Sequence, residues 1–179
     1  MGNSGGGLSL RPGRCCTGEG SRRWSDRADF AHGVSPLVTS TIFVQIAAYR
    51  DPDLAATLNN LLEQAAYPER LKFGICLQLD ASDPLSWGEQ SFPDHAHLQI
   101  KDVAAADSRG ACWARSQAQG FYNGEEFLLQ IDSHMRAVQD WDDFLLQTWR
   151  DCNDTEAVLS VYPNAVSYTH LTLPTILLV

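Results

Sequence analysis

The stretch IFVQIAAYRDP, residues 42–52, decides how the rest of the chain is read. Residues 42–48 form an apolar, β-branched run of the kind buried in parallel sheets. The run breaks at Tyr49-Arg50-Asp51-Pro52. Asp followed by Pro predicts a helix start, with Asp51 as N-cap acceptor and Pro52 at the first helical position. Leu54, Leu58, Leu61, Leu62 and Ala65 then recur at helical spacing, and the helix should stop before Pro68. Strand, polar turn and helix make the opening of a βαβ unit.

Working outward, the same order repeats. A second apolar run, residues 73–79, ends at Asp80. Residues 81–96 hold Pro84, Gly88 and Pro93 and read as a long loop. A short strand is expected over residues 97–103. Asp107 or Ser108 should cap a helix carrying Ala111, Ala114, Ala118 and Phe121, ended by Asn123-Gly124. A third strong strand, residues 127–131, runs into Asp132-Ser133-His134. A helix is expected over residues 140–152 with Trp141, Phe144, Leu145 and Trp149 as its apolar face. A last strand is expected over residues 157–161. Strands alternating with helices predict an α/β fold with a largely parallel sheet. Ligands of such sheets bind beyond the carboxyl ends of the strands, where the polar residues of this chain accumulate.

Composition sets the frame. The 179 residues are 44% hydrophobic and 20% charged, as in a globular protein, with a net charge of −9. Such acidity disfavours a general nucleic-acid binder, which needs clustered Lys and Arg. No apolar run approaches the ~18–20 residues of a membrane span. Residues 1–40 carry five Arg against Glu19, Asp26 and Asp29, and eight of the 13 Gly. They read as a disordered or misassigned segment, with a transit peptide as the alternative. Five Cys, an odd number with no Cys-x-x-Cys pair, point to a reducing, cytoplasmic compartment. Cys76 and Cys112 read as core residues. No Gly-x-Ser-x-Gly, phosphate-binding Gly-rich loop or Gly-x-Gly-x-x-Gly occurs, which counts against serine hydrolases, P-loop enzymes and dinucleotide dehydrogenases.

Three groups of residues carry candidate chemistry. Asp132 and His134 offer a carboxylate and an imidazole at a strand end, suited to a divalent ion such as Mn²⁺; the plainer alternative makes Asp132 a turn cap. Arg109 and Gly110 stand at a helix start, where the helix dipole favours an anion, and Arg115 on the next turn could reach a phosphate. Arg115 would otherwise pair with an acidic neighbour. Tyr49, Arg50 and Asp51 suit a base and a sugar, although Asp51 as an N-cap and Asp80 as a turn residue have equally local explanations. Asp94-His95-Ala96-His97 reads as a solvated loop.

Four blocks in order, IFVQIAAYRD (42–51), PERLKFGICLQ (68–78), RGACWAR (109–115) and LQIDSHMR (129–136), resemble the glycosyltransferase family that includes the protein-hydroxyproline N-acetylglucosaminyltransferases. Tyr162-Pro163 also fits. The resemblance implies a GT-A fold, a UDP-GlcNAc donor, Mn²⁺ or another divalent cation, and transfer to a hydroxyl with retention, a protein hydroxyproline among the acceptors. It places Asp132 and His134 on the metal, Tyr49, Arg50 and Asp51 near the nucleoside, Asp80 in the donor site, and Arg109 or Arg115 near the diphosphate. No general base is named. A non-catalytic nucleotide-sugar-binding module and a nucleotidyltransferase are the competing readings. The resemblance covers residues 42–164. Residues 41–165 are thus expected to form a partial GT-A domain. Residues 166–179 read as a non-native tail, making His170 a poor metal ligand and the chain an amino-terminal fragment.

Overall fold

The computed structural model describes residues 40–95, 97–160 and 175–178. The first 39 residues, Tyr162-Pro163 and His170 lie outside these, as does all of the 166–179 tail except 175–178. The order of elements is β1 (Ile42–Tyr49), α1 (Leu54–Gln64), β2 (Leu71–Leu79), β3 (Leu98–Ala104), α2 (Ala111–Gln119), β4 (Phe127–Asp132), α3 (Trp141–Asp151), β5 (Val158–Leu159) and β6 (Thr175–Leu178). The strands form one sheet in the order β3-β2-β1-β4-β6-β5. β1 is central and parallel to both β2 and β4, with Ile46 opposite Ile75 on one side and Ile131 on the other. β3 runs parallel to β2. Antiparallel pairing appears at one edge, where β6 lies between β4 and β5.

Alternation along the strands sorts side chains to two faces. Ile42, Val44, Ile46, Ile75, Phe127 and Leu129 pack with Leu54, Leu58 and Leu61 of α1 and with Trp141, Leu145 and Leu146 of α3. Each such Leu or Ile, fully buried, contributes about 1.5–3 kcal/mol relative to exposure. The opposite face carries Cys76, packed against Ala114 and Ala118 of α2. The small residues on α2 let it approach closely. A Cβ on Gly74 would sit 2.7 Å from the Ala118 carbonyl oxygen and against the Phe43 ring. Central strands buried on both faces explain why their sequences read as continuous apolar runs.

Several local expectations shift. α1 begins at Leu54 rather than at Pro52, with Asp53 as its N-cap residue. Asp51 instead accepts the Asp53 backbone N–H at 2.9 Å. α2 is preceded by Gly110 at φ 91° and ends at Gln119, ahead of Asn123-Gly124. The positive φ explains why Gly, and not Asp107 or Ser108, precedes the helix. On α3 the buried set is Trp141, Asp142, Leu145 and Leu146, while Phe144 is exposed. Cys112 is exposed and only Cys76 joins the core. His95 is not a solvated loop residue: its ring meets Phe73 edge-on at 5.6 Å. Among the described residues no helix is long and apolar enough to cross a membrane.

A candidate site where β1 and β4 end

Strand order 3-2-1-4 means the chain steps outward from β1 to β3, then crosses back to place β4 on the other side of β1. That reversal is a topological switch point, and it opens a crevice at the carboxyl ends of β1 and β4. The loop after β1 carries Tyr49, Arg50 and Asp51. The turn after β4 carries Asp132, Ser133 and His134.

Hydrogen bonds bind the two loops together. Asp51 Oδ2 accepts from Ser133 Oγ at 2.5 Å and meets His134 Nδ1 at 3.0 Å. Burial works to raise the Asp51 carboxyl. The hydrogen bonds from Ser133, His134 and the Asp53 backbone outweigh it and hold the group below the ordinary carboxylate range. Thr57 of α1 donates to the Ser133 carbonyl at 2.7 Å and accepts from the Met135 N–H at 3.1 Å. Arg136 pairs with Asp53 at 3.2 Å. The turn that presents Asp132 and His134 is therefore fixed from the β1–α1 side. Among the described residues, Ser133, Thr57, Arg136 and Asp53 belong to this cluster without having been singled out by their sequence. Ser133 and Arg136 lie inside the quoted LQIDSHMR block; Thr57 had no signal beyond its place on a helix.

Asp132 lies on the α2 side. Its Oδ1 takes Arg115 Nη2 at 3.0 Å, with the carboxylate more than half exposed. Arg115 thus pairs with an acid, and that acid is the candidate metal ligand itself. The Arg115 carbonyl accepts from the buried Gln45 amide on β1, which seats α2 against the sheet. Arg109 stands exposed just before α2 with its guanidinium 5.9 Å from the Trp113 ring centre.

On the other flank, Arg50 adopts φ 47°. It donates to both carboxylate oxygens of Asp83 at 2.7–3.0 Å. The Arg50 hydrogen bonds pull the Asp83 carboxyl below its ordinary value. Asp83 also accepts the Asp80 backbone N–H at 2.7 Å. The Asp80 carboxylate accepts from the Ser82 backbone N–H at 3.3 Å and so serves its own turn. Asp83 was missed because a lone Asp in a Pro-rich loop carries no pattern. Tyr49 presents its ring to solvent at 55% exposure. The structure thus joins Asp51 to His134, Arg115 to Asp132, and Arg50 to Asp80 through Asp83. Arg109 instead faces Trp113.

The donor set at the β4 end suits a divalent cation. A carboxylate only accepts, so His134 donates Nδ1–H to Asp51, and in a neutral ring the lone pair then falls on Nε2. An orienting carboxylate behind a histidine is a common support for metal binding. Asp132 supplies oxygen and His134 nitrogen. No group of three or more His, Cys, Asp or Glu able to hold a metal occurs among the described residues.

Comparison with known proteins bears on the reading. No curated protein matches this chain. Among solved structures, Staphylococcus aureus TarS 1–349 in complex with UDP-GlcNAc aligns with a TM-score of 0.52 at 17% identity, over 73% of this chain and 36% of that one. The mannosyltransferase PcManGT of Pyrobaculum calidifontis, in complex with GDP-Man and Mn²⁺, aligns with a TM-score of 0.47 at 20% identity, over 73% of this chain and 38% of that one. The chain spans little more than a third of the length of these neighbours. The likeness to TarS is one of fold and matches the GT-A-like, mostly parallel sheet with helices on both faces. A family profile described as Glycosyltransferase (GlcNAc) matches residues 41–93 and 86–174. That match takes in well over half of the chain and every strand-end residue described above: the chain belongs to the Glycosyltransferase (GlcNAc) family.

Proposed function

We propose that this chain carries the donor-binding part of a divalent-metal-dependent glycosyltransferase. It would move N-acetylglucosamine from UDP-GlcNAc to a hydroxyl acceptor with retention, a protein hydroxyproline being one acceptor of that class. One observation carries the reading: two strand ends at the switch point hold a carboxylate and an oriented imidazole beside Arg115. That is an acidic, metal-suited turn next to a cation, which is what a nucleoside diphosphate requires.

In this reading Asp132 and His134 would hold Mn²⁺ or another divalent cation. When bound, the cation supplies positive charge against the diphosphate. Arg109 stands just before α2, where the helix dipole adds to its charge, and Arg115 lies one turn into the helix, facing Asp132. Both arginines favour the departing UDP more than the intact donor, because negative charge grows on the leaving oxygen as the sugar C1–O bond breaks. The acceptor oxygen would form the new bond to C1 and give its proton to the departing phosphate oxygen of UDP. Tyr49 offers an exposed face on which a base stacks. Arg50, fixed by Asp83 and Asp80, borders the same crevice. Residues 41–165 make up this part of the domain and residues 1–40 precede it, while residues 175–178 of the 166–179 tail pair as β6 with β4 and β5. Cys76 and Cys112 stand as thiols, which supports a cytoplasmic setting.

Thermal unfolding tests the reading. UDP with Mn²⁺ should raise the melting temperature, and CTP or ATP with Mg²⁺ should not. At a ligand concentration 100 times Kd the stabilisation reaches about 2.7 kcal/mol. Asp132→Ala should keep the unliganded melting temperature nearly unchanged, since an exposed pair contributes at most about 1 kcal/mol. It should abolish the UDP–Mn²⁺ shift. An equal shift with Asp132→Ala, or none with the wild-type chain, defeats the assignment. A shift without UDP-GlcNAc hydrolysis supports a binding module instead.

A further inference from the structure

Asp51 was read above as a nucleoside contact. Its surroundings assign it different work. Its Oδ1 takes the Asp53 N–H at 2.9 Å, and its Oδ2 takes both Ser133 Oγ at 2.5 Å and His134 Nδ1 at 3.0 Å. Three of the roughly four acceptor positions of a carboxylate are thus filled from within the chain. Its side chain is 16% exposed, against 55% for His134. The acid is anchored and the imidazole is presented.

We propose that Asp51 is a positioning residue for cation binding: held by the β1–α1 turn, it fixes His134 in the Nδ1–H tautomer and in one ring orientation, so that Nε2 is the nitrogen offered to a divalent ion. This rests on the metal-assisted reading of the β4 turn. The pairing joins residues 83 positions apart, so it exists only because β1 and β4 are neighbours. Free imidazole side chains favour the opposite tautomer, with the proton on Nε2. A carboxylate facing Nδ1 reverses that preference, because Nδ1–H then donates to a charged acceptor. Ser133 shares the same oxygen and restrains Asp51 without touching the ring.

The test reads tautomer and cation affinity, not turnover. Long-range ¹⁵N–¹H correlation spectra of the full chain, with His134 assigned by His134→Gln, should show Nδ1–H in the metal-free wild-type protein. Asp51→Ala should move His134 to the Nε2–H form or to a mixture. It should also weaken Mn²⁺ binding in the presence of UDP by about 10- to 100-fold, followed by electron paramagnetic resonance. Asp51→Asn keeps a neutral acceptor and should recover part of that loss; Ser133→Ala should leave the tautomer in place. An Nε2–H tautomer in the wild-type protein overturns the proposal, as does unchanged Mn²⁺ affinity in a folded Asp51→Ala. In that last case the glycosyltransferase reading survives, because wild-type binding is intact. If the wild-type chain binds no Mn²⁺ with UDP, both fall. If Asp51→Ala does not fold, the wild-type tautomer and Asp51→Asn decide.

Discussion

Glu125 shows how much a single buried charge is asked to do. It is nearly buried, with Oε1 3.1 Å from Lys72 Nζ and Oε2 accepting the Asn123 N–H at 2.8 Å. Burial alone would raise its carboxyl. The Asn123 and Lys72 hydrogen bonds overcome that and leave it below the ordinary range. A group with a depressed folded value stabilises above its unfolded value of about 4.3. That contribution disappears as pH falls through the folded value. Glu125→Gln should therefore cost about 1–3 kcal/mol at pH 7. The gap to wild type should narrow as acid is added from about pH 5 to pH 3. Denaturant unfolding at several pH values measures this, and a gap that stays constant speaks against it. Arg50 and Asp83 are the half-exposed counterpart: the pair is bidentate, its carboxylate covered but its guanidinium solvated, so it orders a loop more than it stabilises the fold.

Between elements, the contact between α2 and the sheet is the tightest dependency. Gly74 lies in β2 opposite Gln45 of β1. The Ala118 carbonyl would come within 2.7 Å of any Cβ placed there. Backbone cannot move aside as a flexible side chain does, so Gly74→Ala should push α2 off the sheet and cost about 1–3 kcal/mol. Because Arg115 rides on α2, the same variant should also weaken UDP binding. Calorimetric melting with and without UDP–Mn²⁺ checks both effects, and an unaltered melting temperature would contradict the packing argument. The sequence marked β2 as a strand without saying that its Gly was there for a helix crossing over it. The apolar face of α3 was likewise half legible. Trp141 and Leu145 lie at the expected spacing, but rotation of the helix about its axis buries Leu146 and leaves Phe144 outside. Periodicity gives a stripe; packing against α1 chooses its centre.

At the scale of the molecule, α1 and α3 are joined through Asp142. This fully buried acid accepts the Ala66 and Tyr67 N–H groups at 2.7 and 3.1 Å and faces Arg70 Nε at 3.4 Å. Arg70 is itself buried and stacks on Tyr67 at 4.4 Å. Removing one partner of such a pair strands the other charge. Asp142→Ala should cost about 3–5 kcal/mol by chemical denaturation. A loss below about 1 kcal/mol would mean that water reaches Arg70 readily. Trp141 reinforces the same junction by donating to the Leu61 carbonyl at 2.9 Å.

The sequence by itself determined the α/β class, the position of each main strand and helix to within a few residues, and the gathering of polar residues at strand ends. These are local properties, set by apolar periodicity, Pro and Gly. It also contained the ordered blocks that match the family. Only the tertiary structure decided that β4 returns beside β1, and with it that Asp51 meets Ser133 and His134 and that Arg115 meets Asp132. Strand order follows from crossovers that bury both faces of the sheet, and no local pattern encodes it. Asp51 makes the difference concrete: as a sequence it was a helix cap beside a proline, and as a structure it is the carboxylate that meets the histidine of the turn after β4.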